Sequence, residues 1–151
     1  MGLEIGVMHV RRSAFIRAAP GRVWQEFASF ERLKGWFGRG HTLHRYEPLL
    51  GGAVELSVDL EGVRRHFGGP ILVFEPEAEV SFACNWSDAD MAWPVPTLWT
   101  LRLTPLYDGT HAEILHHGFE RLGAEAGDNL EGYEGGWDIK HLKALRSVVE
   151  G

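Results

Sequence analysis

From His41 to Phe119 the chain alternates apolar and polar residues with a period of two, and the last stretch, Gly132 to Gly151, switches to the period of an amphipathic helix. That order is restrictive. Half-buried strands need a cover on their apolar face, and a single helix arriving after them is the cover the chain itself supplies. A curved antiparallel sheet closed by one helix also encloses a layer in which a small molecule can sit.

The alternation is explicit in several segments. Val54, Leu56, Val58 and Leu60 face away from Glu55, Ser57 and Asp59, and Glu61-Gly62 makes a hairpin turn into Val63 to Phe67. Gly68-Gly69-Pro70 is expected to interrupt as a bulge or bend before Ile71 to Phe74. Val80, Phe82, Cys84 and Trp86 alternate with Ser81, Ala83 and Asn85, and Trp99, Leu101 and Leu103 with Thr100, Arg102 and Thr104. Asp108-Gly109 turns into His111 to Phe119. Before the alternating region, Met8 to Arg17 is a strand, and Val23, Trp24, Phe27 and Phe30, then Leu33, Trp36 and Phe37, mark two short helices.

Two loops stand out. Ser87 to Pro96 carries Met91, Trp93, Pro94 and Pro96 and is either a lid or a plug for the end of the sheet. Leu122 to Asn129, rich in Gly, Ala and acid, is expected to be a solvated connection, with Asp128 or Asn129 capping the last helix. In that helix Tyr133, Trp137, Ala144 and Val148 form one stripe, with Leu142, Leu145 and Val149 beside it. Gly135-Gly136 marks a kink, a helix start or a close approach to a strand or ligand.

Composition narrows the partners. The 151 residues suit one domain spanning the whole chain, and a formal net charge of -6 with scattered Arg and Lys argues against nucleic acid. No apolar run reaches the roughly 20 residues of a membrane span. The single Cys84 excludes an intramolecular disulfide, and the opening Met1 to Gly6 lacks the basic and apolar regions of a signal peptide, so a reducing cytoplasm is expected.

The order strand, two short helices, antiparallel strands and long helix resembles the helix-grip α+β fold of the START-like, or Bet v 1-like, superfamily. Local stretches are similar to one branch, the family named for the C-terminal domain of the activator of Hsp90 ATPase. They are Ala18 to Pro20 with Val23-Trp24, Glu31 to Leu33 with Trp36 to Gly38, Gly51-Gly52, Gly69 to Pro76, Thr100 to Thr104 with Gly109-Thr110, and Gly136-Trp137 with Leu142 and Leu145. The resemblance implies a curved antiparallel sheet wrapped around the C-terminal helix, with a hydrophobic cavity between them. Members include lipid and hormone carriers, polyketide cyclases and proteins of unassigned role. The eukaryotic co-chaperone has a further N-terminal domain for which this chain leaves no room, so an Hsp90 role is not carried over.

Six Trp among 151 residues supply flat apolar walls. Trp86, Trp99 and Trp137, with Phe82, are expected to border the cavity, and His66, His116, His141 and Tyr133 to supply polar contacts. The preferred reading is a binder of a hydrophobic, aromatic or polycyclic small molecule rather than an enzyme. The alternatives are a cyclase- or hydratase-like enzyme using His116 or His117 with Glu113 as a proton-transfer pair, and a protein-interaction module or homodimer. Alternation does not say which of the two histidines faces inward. The H-x-x-H pair His41/His44 lies where that spacing does not align two imidazoles on one ion, so no metal and no cofactor is expected. Cys84, alternating with Val80, Phe82 and Trp86, is expected to be a core thiol.

Overall fold

The computed structural model describes residues 4–37, 41–136 and 140–151. Seven strands form one sheet: β1 (His9–Ile16), β2 (Thr42–Tyr46), β3 (Ala53–Leu60), β4 (Val63–Glu75), β5 (Glu79–Trp86), β6 (Thr97–Leu106) and β7 (Gly109–His117). Their spatial order is β1-β7-β6-β5-β4-β3-β2, antiparallel throughout. Only the first strand leaves its sequence neighbour, so six hairpin-linked strands form a meander and β1 closes it against β7.

Between β1 and β2 lie α1 (Pro20–Trp24), a 3₁₀ turn (Gln25–Phe27) and α2 (Phe30–Phe37). Pro20 opens α1 where its missing N–H costs nothing. The two helices are tied by Glu26, which is 2% exposed and accepts from Arg22 Nη1 at 2.7 Å and Arg32 Nη1 at 3.1 Å. After β7 come a 3₁₀ segment (Phe119–Glu125), α3 (Ala126–Gly136) and α4 (Lys140–Glu150).

Register sorts the sheet into two faces. Val80, Phe82 and Cys84 stand opposite Leu101, Trp99 and Thr97, while Trp99, Leu101 and Leu103 stand opposite His116, Ile114 and Ala112. These side chains and Ile16 pack with Leu142, Ala144 and Leu145 of α4 and with Val23, Phe27, Trp36 and Phe37 into the main core, except for Thr97 and His116, which are buried polar members of the same face. Burying that much apolar surface, at roughly 25 cal/mol per Å², is what holds the helix to the sheet.

Several expectations are corrected. The C-terminal helix begins earlier than Gly132: α3 starts at Ala126, and Gly135-Gly136 closes its described span rather than opening a helix. The stretch 122–129 is not a solvated loop, because Leu122 and Ala126 are buried and pack with Phe119 in a second apolar cluster. Gly123, at φ 72° and ψ -133°, breaks the helical path between them, so no single helical stripe announces the pair in the sequence. On α4 the buried stripe centres on Leu142 and Leu145, whereas Val148 is 41% exposed. Gly68-Gly69-Pro70 does not interrupt β4, which runs through it in register with β3, and the register shift against β5 falls between Ile71 and Val73. The Glu61-Gly62 hairpin forms as read, with φ of 51° and 81° at its two turn residues, the combination a two-residue turn needs to match strand twist.

Candidate functional site

The helix-facing side of β4, β5 and β6 carries an aromatic wall because bulky side chains recur at every second residue of adjacent strands. Phe82 and Trp99 are cross-strand partners whose rings stack at 5.2 Å and 29°. Phe37, delivered by the last turn of α2, meets Trp99 edge-on at 5.5 Å and 83°. His141, in the first turn of α4, lies 5.4 Å from Phe37 and stacks on His41 at 5.2 Å and 20°. His41 in turn contacts Phe67 at 6.0 Å, and Phe67 contacts Trp86 at 5.4 Å.

Trp86 leads into a second group. Trp93 sits 6.5 Å from it and 6.1 Å from Tyr133, and Tyr133 closes on His116 at 4.6 Å and Phe119 at 5.4 Å. The loop that brings Trp93 here is clamped by one side chain: Asn85 donates to the Trp93 carbonyl at 3.1 Å and accepts from its amide at 2.9 Å. Arg65 holds the other end of the loop through Asp88 and Asp90.

The polar atoms within this wall are few. The Trp99 indole Nε1 is buried and has no hydrogen-bond partner among the described residues. Thr97 donates its hydroxyl proton to the Cys84 carbonyl at 2.9 Å, so His116 Nε2, 2.8 Å away, carries hydrogen and donates to Thr97. Burial, with His117 next to it, brings the His116 imidazole down to about 3, so the ring is neutral near pH 7. Burial also pushes the Cys84 thiol up to about 12, which leaves a core thiol without nucleophilic character. Tyr133 is likewise raised by burial and stays a phenol.

The two adjacent histidines project to opposite faces. His116 faces the helix, and His117 faces outward into a different polar network. There Ser81 donates to Glu79 Oε2 at 3.1 Å, Thr100 lies 2.8 Å from Ser81, and His117 Nε2 lies 2.7 Å from Thr100. Since the Ser81 proton goes to Glu79, each successive group donates toward the carboxylate, and Arg102 Nε closes the chain on Glu79 Oε1 at 2.7 Å. His117 is brought down to about 4, chiefly by burial and then by Arg102.

Of the side chains singled out in the sequence, Phe82, Trp86, Trp99, Tyr133 and His141 share the helix-facing layer. His66 does not: it is exposed on the outward face, its ring 5.6 Å from that of His44. Trp137 lies outside the described residues. Glu113 shares no site with His116, because residues three apart on a strand point to opposite faces, and it is bound instead to Arg11 Nε at 2.7 Å. Against His117, on its own face but four residues along, it lies about 13 Å away by strand rise. The proton-transfer pair is therefore not formed. Phe37, His41 and Phe67 join the wall without having been singled out as site residues. The apolar stripe of the second short helix was the signal for Phe37, while His41 and Phe67 come from segments that only the fold brings together.

Among the described residues, no three His, Cys, Asp or Glu side chains converge as metal ligands, and no helix is long and apolar enough to cross a membrane.

A seven-stranded antiparallel sheet closed by a C-terminal helix, with an aromatic layer between them, defines the helix-grip class of α+β proteins. Within that class, the chain belongs to the family described as Activator of Hsp90 ATPase homolog 1-like protein, whose model matches residues 17–150. No curated protein sequence matches the chain at a significant level. Among solved structures, protein CV1439 from Chromobacterium violaceum is similar at TM-score 0.70 and 24% identity, covering 95% of this chain and 98% of that one. The Aha1 dimer from Colwellia psychrerythraea is similar at TM-score 0.64 and 16% identity, over 94% and 96% of the two chains. DynU16, a protein in the dynemicin biosynthetic locus, is similar at TM-score 0.68 and 17% identity, over 96% of this chain and 48% of that one. At these identities the likeness concerns the fold alone.

Proposed function

We propose that this protein binds a flat, hydrophobic small molecule in the aromatic layer between the sheet and the C-terminal helix. The observation that carries the reading is the Trp99 indole: a buried N–H left without an acceptor costs on the order of 1–3 kcal/mol, so its retention favours a partner that arrives from outside. Phe37 and Phe82 against the same indole supply apolar surface on which an aromatic ring stacks. DynU16 lends support of a weaker kind, since its locus is a biosynthetic one.

The test is a titration of planar aromatic compounds bearing one carbonyl or ether oxygen, followed by tryptophan fluorescence and calorimetry. Binding in the micromolar range is expected, weakened about tenfold by Trp99→Phe, which keeps the apolar surface and removes the donor. Equal affinity in the variant removes Trp99 as the ligand's partner, and no binding across the series removes the reading altogether.

Self-association is the second reading, favoured by the two open sheet edges at β1 and β2 and by the dimeric Colwellia relative. Light scattering on the eluting peak decides it.

A further inference from the structure

On the face of the sheet turned away from the aromatic layer, three adjacent strands place His44, Ser57 and His66 in a row. Ser57 of β3 stands directly opposite His66 of β4 and opposite Thr42 of β2. The register of β2 shifts between Leu43 and Arg45, so His44 is the extra residue of a bulge. A bulge re-aims the side chain it inserts, and here it tips His44 over Ser57. His44 Nε2 meets Ser57 Oγ at 2.6 Å. Because Ser57 is short and 1% exposed, the two imidazoles close above it to 5.6 Å between ring centres, although a strand lies between them.

We infer that His44 and His66 form a binding site for a divalent transition ion of the zinc or copper type. An ion held about 2.0–2.1 Å from one nitrogen of each ring, at a near-tetrahedral angle, sets the ring centres about 5 Å apart. The observed 5.6 Å needs only a small side-chain rotation. With Nε2 engaged by Ser57, His44 presents Nδ1 to the ion, and Ser57 holds the ring's orientation as outer-sphere partners of ligating histidines do. The nearby guanidinium does not forbid the charge: Arg64 reaches Ser57 Oγ at 3.3 Å but is offset by Asp59, 3.3 Å from its Nε. Imidazole is a ligand suited to zinc, copper and nickel rather than to magnesium or calcium. Both rings are exposed, so an ion enters from solvent without opening the fold, and its remaining positions belong to water. The pair that fails as a site in the sequence is His41 with His44; folding replaces His41 by His66, from another strand.

Zinc chloride titrated calorimetrically into the full chain at pH 7.5 tests this. One saturable site is expected, weakened at least tenfold by His44→Ala and by His66→Ala and unchanged by His111→Ala, a third histidine outside the row. Both alanine variants should melt with the wild type, since neither side chain is in the core. With one equivalent of copper(II), electron paramagnetic resonance should show two bound nitrogens falling to one in either variant. Unaltered affinity in His44→Ala or His66→Ala, a loss in His111→Ala, or no saturation up to millimolar zinc overturns the inference.

Discussion

Single residues carry more of this structure than their chemistry suggests in isolation. Glu26 is the clearest case, a carboxylate taken almost wholly out of water between two helices and held by two arginines that themselves keep contact with solvent. Its neighbours reinforce the junction: Trp36 Nε1 donates to the Glu26 carbonyl at 3.4 Å and Tyr46 Oη to the Phe27 carbonyl at 2.8 Å. Glu26→Ala is expected to cost about 2 kcal/mol in urea denaturation, as charged hydrogen bonds do when one side is removed. Arg32→Ala alone should cost less than about 1 kcal/mol, because that guanidinium is 56% exposed. Equal losses in the two variants would mean the junction is held by something other than the carboxylate. Glu26 was invisible in the sequence for a physical reason: a charged residue beside an apolar stripe reads as solvated until a second helix folds over it.

At the scale of elements, Gly68 and Gly69 let β4 run pressed against both of its neighbouring strands. Gly68 has φ of 140°, and a Cβ there would collide with the Val54 carbonyl oxygen on the neighbouring strand; one on Gly69 would collide with the Ala83 carbonyl oxygen. Gly68→Ala therefore combines backbone strain with a steric clash and should cost at least about 3 kcal/mol. Gly62→Ala, also at positive φ but in open space, should cost only about 1 kcal/mol. Thermal or urea melts of the two variants check the ranking, and a Gly68→Ala protein as stable as Gly62→Ala would show that β3 and β4 move apart at little cost. The Gly-Gly-Pro run announced a disturbance in the sequence, yet not that the strand continues through it, since continuity depends on partners in β3 and β5.

Across the whole molecule, His116 and His117 couple stability to pH although they face opposite sides of the sheet. Both have folded values, about 3 and about 4, below the usual 6.5 of an unfolded histidine. Between pH 6.5 and 4 the unfolded chain therefore binds protons that the folded chain refuses, and stability falls as the pH drops through that window. With two such groups the slope approaches about 2.5 kcal/mol per pH unit near pH 5, where both unfolded rings are charged and both folded rings are still neutral. Urea midpoints measured from pH 7 to pH 4 should fall steeply, and about half as steeply in His117→Asn, where His116 alone remains; a flat wild-type profile would show that both rings titrate as freely as in water. By itself the sequence determined most element types, their order and the apolar faces of β1, β3, β5 and β6, because a period of two or of 3.6 is a local property set by backbone geometry. Only the tertiary structure decided that His117 donates toward Glu79 and His116 toward Thr97, that His66 meets His44 rather than Trp99, and that Phe37, His41 and His141 gather beside Trp99. Those encounters depend on strand register, on one bulge and on how a helix crosses the sheet, all of which are settled by packing between segments distant in sequence.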